Sequence, residues 1–237
     1  MEILIAASKI NKYASSESGD TLEVVERPNG GLSVVLADGQ TSGKGAKVIS
    51  NMVVRKVISL LAEGVRDGAA ARAASDYLFT ERKGKVIATL NVLSVDLQTG
   101  TVVITRNNPS PVYIAHNEKI DSLDSESMPI GTTRNTRPSI CEIPVEPGLT
   151  VVMYTDGVHT AGERYGRSFD IRTFLDAMLE DQEPSAQEIA DDLLNHAIRL
   201  DEGRPEDDMS VVVMRVVHRQ GDGARRLTVR LPVDFVS

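Results

Sequence analysis

The strongest constraint on the fold of this chain is a set of short β-branched runs that follow one another across turn residues. LEVVE (22–26) and LSVVLA (32–37) flank Asn29-Gly30-Gly31, and an Asn-Gly between two such runs signals a hairpin. VIATLNVLSV (86–95) and TVVITR (101–106) flank Asp96–Gly100 in the same way. Further runs lie at EILIAA (2–7), VYIA (112–115), 119–123, 139–143, TVVMY (150–154) and SVVVMRVV (210–217). Hairpin-length connections cannot accommodate parallel crossovers, so these strands are expected to pair antiparallel. Helical spacing of apolar residues appears at Ala46–Glu63, 68–80, 169–180 and 185–200. Regular β-α-β alternation, which a doubly wound fold needs, is approached only over 32–64. The pattern predicts an α+β protein, with antiparallel sheets and helices packed on the outside. The alternating segment RLTVRL (226–231) predicts an added edge strand near the C-terminus.

Composition narrows the partners. At 237 residues and 41% hydrophobic, the chain can bury a substantial core. Its 26 basic and 34 acidic residues give a net charge of −8, which argues against nucleic acid or an anionic membrane surface as a partner. The single cysteine, Cys141, excludes an internal disulfide and a cysteine-based metal site and suits a reducing compartment. No window reaches the roughly 18 consecutive apolar residues of a membrane span. The N-terminal MEILIAASKINKYA lacks the basic flank of a signal peptide. A cytoplasmic location is therefore expected.

Four acidic residues stand where apolar runs begin or end. Asp20 precedes LEVVE, Asp38 follows LSVVLA, Asp156 follows TVVMY, and Asp207 precedes MSVVVMRV. If the last strand runs antiparallel to the two that precede Asp38 and Asp156, the carboxylates meet at one sheet edge. Carboxylates at close quarters raise one another's pKa, and a divalent cation removes that cost. Oxygen ligands suit Mg²⁺ or Mn²⁺, and no His or Cys cluster competes for a softer metal. Gly39, directly after Asp38, permits close backbone approach and offers a carbonyl as a further ligand. Taken singly, an Asp-Gly at a strand end is only a turn.

Other chemistries fit less well. DGQTSGKG between a strand and a helix has the setting of a phosphate-binding P-loop, but three residues, not four, separate Gly39 from Gly43, and Gly45 replaces the required hydroxyl residue. Cys141 lies in an expected strand without the loop of a cysteine phosphatase and reads as an inert thiol. His159 follows Asp156 by three residues and could approach the site as a proton donor, but it reads first as a partly exposed loop histidine.

The ordered segments ESGD (17–20), ADGQTSGKGA (37–46), KVIATLNVLSVD (85–96), RNNPSPVYIA (106–115), MPIGT (128–132), VVMYTDGVHTA (151–161) and EDDMSVVVMR (206–215) resemble the metal-dependent, type 2C protein phosphatase superfamily. They are most similar to its bacterial branch, typified by the stage II sporulation protein E phosphatase domain. The resemblance spans about residues 1–217, leaving 218–237 as a C-terminal extension.

The resemblance implies a β-sandwich of two antiparallel sheets flanked by helix pairs, in four layers. It implies two Mn²⁺ or Mg²⁺ ions. Asp38 would bridge both, assisted by the Gly39 carbonyl, with Asp20 serving one ion and Asp156 and Asp207 the other. Asp208, where many relatives have Asn, would support the site or ligate occasionally. A metal-activated water would attack phosphorus in line, without a covalent phosphoenzyme. The implied activity is hydrolysis of phosphoserine or phosphothreonine on a bacterial regulatory protein such as an anti-sigma-factor antagonist. Two departures stand out. Thr41 replaces a customary glycine, and Ser15, Ser16 and Glu17 occupy the stretch where many eukaryotic members place an arginine. Phosphate grip would then fall to the metals, with Lys44 a weaker candidate. A non-catalytic phosphoprotein-binding regulator that keeps the fold is the alternative.

Overall fold

The computed structural model describes residues 1–40, 43–180, 183–219 and 221–232. Its strands are β1 (Glu2–Ile10), β2 (Asp20–Glu26), β3 (Leu32–Gly39), β4 (Ala88–Asp96), β5 (Thr101–Asn107), β6 (Val112–His116), β7 (Lys119–Leu123), β8 (Ser139–Pro144), β9 (Thr150–Tyr154) and β10 (Met209–Val217). Two five-stranded sheets result, ordered β1-β10-β9-β6-β7 and β2-β3-β4-β5-β8. Every pairing between these strands is antiparallel, as the turn-linked runs require.

The helices are α1 (Gly43–Ala62), α2 (Asp67–Arg82), α3 (Asp156–His159), α4 (Ile171–Glu180) and α5 (Ala186–Leu200). Three apolar layers hold the molecule together. Val34, Leu36, Val212 and Met214 meet between the sheets. Val35 and Ala37 turn the other way, onto Val53, Val57 and Ala74 of α1 and α2. Val211 and Val213 likewise pack on Leu175, Ile189 and Leu193 of α4 and α5. Successive side chains of a strand point to opposite faces. Strands buried on both faces therefore need unbroken apolar runs, and LSVVLA and SVVVMRVV supply them. Full burial of such a side chain contributes about 1.5–3 kcal/mol. The order helix, sheet, sheet, helix is the expected four-layer sandwich.

α5 starts at a capping box, in which Ser185 accepts from the Glu188 amide and Glu188 accepts from the Ser185 amide. Two short elements escaped the sequence pattern: α3 and a 3-10 turn over Glu163–Tyr165. The strand expected at 226–231 does not form. Residues 221–232 have no regular structure, and Leu227, Val229 and Leu231 are exposed. Alternation supplies a face but no ladder partner, and the segment's recorded hold is Arg225, which donates to the Gly30 carbonyl at 2.7 Å. Among the described residues, no helix is long and apolar enough to cross a membrane.

Candidate active site

The acidic residues gather at one end of the sandwich, but from two sheets rather than along one edge. Asp20 and Asp38 face each other across the β2–β3 ladder. Asp156 opens α3 just beyond β9, and Asp207 lies just before β10, its antiparallel neighbour. The two sheets are stacked, so the pairs meet across the sandwich. The antiparallel part of the expectation holds for β9 and β10. The single edge does not, because β3 belongs to the other sheet.

Local backbone geometry brings the acids close. Asp20 donates its amide to Ser18 Oγ at 3.1 Å, and its carbonyl accepts from Lys9 Nζ at 2.6 Å and Lys47 Nζ at 2.7 Å. With both backbone groups turned from β3, the Asp20–Asp38 pair has the pattern of a non-hydrogen-bonded position, where facing side chains come closest. A side chain at Gly39 would meet the Ala46 carbonyl of α1 at 2.1 Å. One at Gly157 would meet the Asp208 carbonyl at 2.3 Å. Glycine at these two positions lets α1 and α3 close on the acidic end.

Asp20 is fully buried. Its Oδ2 accepts from Ser210 Oγ at 2.6 Å and Thr155 Oγ1 at 3.0 Å. Its Oδ1 is buried without a partner. Burial raises its pKa above the usual carboxylate range, against the opposing pull of these hydroxyls and Lys9. Asp38 is raised further, first by burial and then by the charges of Asp20, Asp156 and Asp207. Burial and Asp156 also raise Asp207. Among the described residues none of these four carboxylates takes part in an ion pair. Lys9 is lowered by burial and by Lys47 beside it.

This donor set fits a hard divalent cation. It is oxygen-only, repelled within itself and left with an unpartnered buried oxygen. Among the described residues no three acidic, His or Cys side chains form a preformed cage. That suits ions that keep several waters alongside a few carboxylates. Asp38 and Asp156 line a cleft of about 230 Å³ with Gln40, Ile87, Ala88, Thr89, Pro109 and Pro129.

The structure also shows how further residues build the surroundings of the acids. Asp208 accepts from the Gly19 amide at 2.7 Å and the Lys12 amide at 2.9 Å, which ties the loop before Asp20 to the start of β10. Its carboxylate thus serves as a tether between these two segments. Buried Arg106 donates to the Asn108 carbonyl at 2.7 Å and the Ser110 carbonyl at 3.2 Å, fixing the loop that carries Pro109. Asn107 donates to the Met128 carbonyl at 3.0 Å and so steadies the segment that carries Pro129. Thr155, Ser210, Lys9 and Lys47 complete the surroundings of Asp20. Thr155 and Ser210 stand inside the segments 151–161 and 206–215, but nothing in the sequence marks them, or Lys9 and Lys47, as partners of Asp20.

Lys44 lies in the first turn of α1, exposed, and His159 is exposed on α3, its ring stacked 6.4 Å from that of Tyr154. Thr41 falls outside the described residues. Cys141 sits in β8 with its thiol pushed up by burial, away from any nucleophilic role.

Comparison with known proteins bears on the family and the fold. The stage II sporulation protein E (SpoIIE) family model matches residues 28–217. Stage II sporulation protein E of Priestia megaterium is 24% identical over 201 residues, covering 85% of this chain and 34% of that protein. The chain thus spans about a third of that relative's length. Among solved structures, the PP2C phosphatase domain of SpoIIE from Bacillus subtilis, with a fragment of its regulatory domain, superposes with a TM-score of 0.79 at 22% identity, covering 93% of this chain and 64% of the other. The catalytic domain of the serine/threonine phosphatase PstP, in complex with two manganese ions, gives a TM-score of 0.69 at 18% identity over 91% of this chain and 99% of that one.

Proposed function

The chain belongs to the stage II sporulation protein E (SpoIIE) family, and on that premise we propose that it is a divalent-metal-dependent serine/threonine phosphoprotein phosphatase. The observation that carries this reading is Asp38, part-buried among the charges of Asp20, Asp156 and Asp207 with no ion-pair partner in the described structure. Asp38, with the Gly39 carbonyl, would hold two Mn²⁺ or Mg²⁺ ions jointly, Asp20 would serve one, and Asp156 and Asp207 the other. PstP, which shares the fold, was solved with two manganese ions. Bound there, such cations supply an ionisable water near neutral pH and neutralise phosphoryl charge.

The protein's own part is positioning. Ser210 and Thr155 orient Asp20, and the Asp208 tether fixes the loop that carries it. The Pro109 and Pro129 segments, held by Arg106 and Asn107, wall the cleft beside Asp38 and Asp156. No nucleophilic side chain is required, which agrees with the placement of Cys141.

We further infer a phosphoserine or phosphothreonine substrate on a regulatory protein of the anti-sigma-factor antagonist class, acting in the cytoplasm. The phosphatase domain would span 1–217, with 218–237 an extension. The test is release of phosphate from a phosphoserine protein and from p-nitrophenyl phosphate, with Mn²⁺ and with chelator. Hydrolysis that needs Mn²⁺ and disappears in Asp38→Ala and Asp156→Ala is expected. A folded, Mn²⁺-loaded protein that binds the phosphoprotein without hydrolysing it would instead establish a binding regulator.

A further inference from the structure

We infer that Lys9 and Lys47 form a positioning clamp on Asp20, setting its carboxylate for the cation. This rests on the metal-site reading above. β2 is an edge strand, so backbone groups on its outer side have no ladder partner. The outward carbonyl of Asp20 receives two ammonium groups instead, at 2.6 Å from Lys9 and 2.7 Å from Lys47. These residues come from separate layers. Lys9 lies on β1, the edge strand of the opposite sheet, and Lys47 on α1. Three layers therefore converge on one oxygen, in the peptide that leaves the buried acid.

The contact on the helix side continues along α1. Lys47 Nζ also donates to Thr21 Oγ1 at 3.1 Å. The Thr21 hydroxyl in turn bonds Ser50 Oγ at 2.7 Å and Asn51 Oδ1 at 2.9 Å. Placing two like charges on one carbonyl is costly unless negative charge lies nearby, and the acidic cluster supplies it. Hydrogen bonds from charged donors are strong and directional, so the clamp fixes the rotation of the Asp20 peptide. The hydroxyls of Ser210 and Thr155 then fix the carboxylate itself. Partners behind a metal ligand typically change metal affinity by 10–100-fold when removed.

The sign of the effect separates positioning from simple electrostatics. Removing a positive charge beside carboxylates would tighten cation binding, whereas loosening Asp20 would weaken it. The test is Mn²⁺ affinity of the full chain, read from the spin-resonance signal of free Mn²⁺, for wild type, Lys9→Met, Lys47→Met and the double variant. We expect each single variant to bind Mn²⁺ about tenfold more weakly, with saturating Mn²⁺ restoring kcat. Lys47→Gln, which keeps a donor without the charge, should stay within a few-fold of wild type and serves if the Met variants fold poorly. Unchanged or tighter binding in Lys47→Met overturns the clamp while leaving the metal site in place. A wild type that takes up no Mn²⁺ overturns both.

Discussion

Two of the regions that bury aspartate in this molecule are built in opposite ways. Asp67, in the first turn of α2, is 7% exposed and fully provided for. Arg27 lies 3.3 Å from its Oδ2, Ser94 donates to its Oδ1, and the helix N-terminus adds a favourable field. Arg27 is satisfied in turn by Ser33 Oγ at 3.3 Å and the Val65 carbonyl at 3.1 Å. Asp20 is fully enclosed and Asp38 partly so, but they have one another, Asp156 and Asp207 for company, and one buried oxygen of Asp20 has no partner. The first arrangement is complete within the chain. On the proposed reading, a bound cation would complete the second. A buried acid supplied with its own arginine then belongs to the scaffold, and an enclosed acid among acids to the proposed metal site.

The sharpest way to break this contrast is to neutralise one acid in each region. Asp38→Asn should lower Mn²⁺-dependent hydrolysis of p-nitrophenyl phosphate roughly 10³-fold or more, several kcal/mol of transition-state stabilisation. The thermal midpoint of the metal-free protein should not fall, because asparagine needs no proton held against burial and the neighbouring acids. Full retention of activity would remove Asp38 from the site. Arg27→Met should do the reverse. It strands the Asp67 carboxylate and should cost about 3–5 kcal/mol in urea unfolding, with Mn²⁺ affinity unchanged in the folded protein. A parallel loss of Mn²⁺ affinity would show that the two regions are not independent.

The pH dependence of stability offers a third test. The folded pKa values of Asp20, Asp38 and Asp207 lie above their unfolded values, so the folded, metal-free protein keeps protons that the unfolded chain releases. Its stability is complete below the ordinary carboxylate range near pH 4 and declines as pH rises through the raised values. Each unit of elevation corresponds to about 1.4 kcal/mol. Urea melts of the metal-free protein from pH 4 upward should show this decline, and saturating Mn²⁺ should flatten it. A metal-free stability that rises over this range would contradict the arrangement. The smallest expected effect is that of Ser210→Ala, which removes one hydroxyl from Asp20 and should weaken Mn²⁺ binding roughly tenfold.

The parts of this contrast that were legible in the sequence follow from how far each signal reaches along the chain. Strands buried on both faces announce themselves as unbroken apolar runs, so LSVVLA and SVVVMRVV marked β3 and β10 correctly. The four acids were visible because each interrupts such a run at its end. Their meeting across two sheets was not, because strand ends say nothing about which sheet a strand joins. Arg27 and Asp67 are 40 residues apart and carry no motif, so the scaffold pair became apparent only in three dimensions. The same holds for Thr155, Ser210, Lys9 and Lys47, whose roles depend on one oxygen or another of Asp20. The segment 226–231 shows the converse failure, since its alternation suits a strand but it pairs with none of the edge strands in the described structure.

The most direct test of the central claim is a calorimetric titration of Mn²⁺ into the metal-free protein at neutral pH, beside Asp38→Asn. Two bound ions per chain in the wild type, with binding severely weakened in the variant, is the predicted result. Heats indistinguishable from dilution in a folded wild-type protein would contradict it.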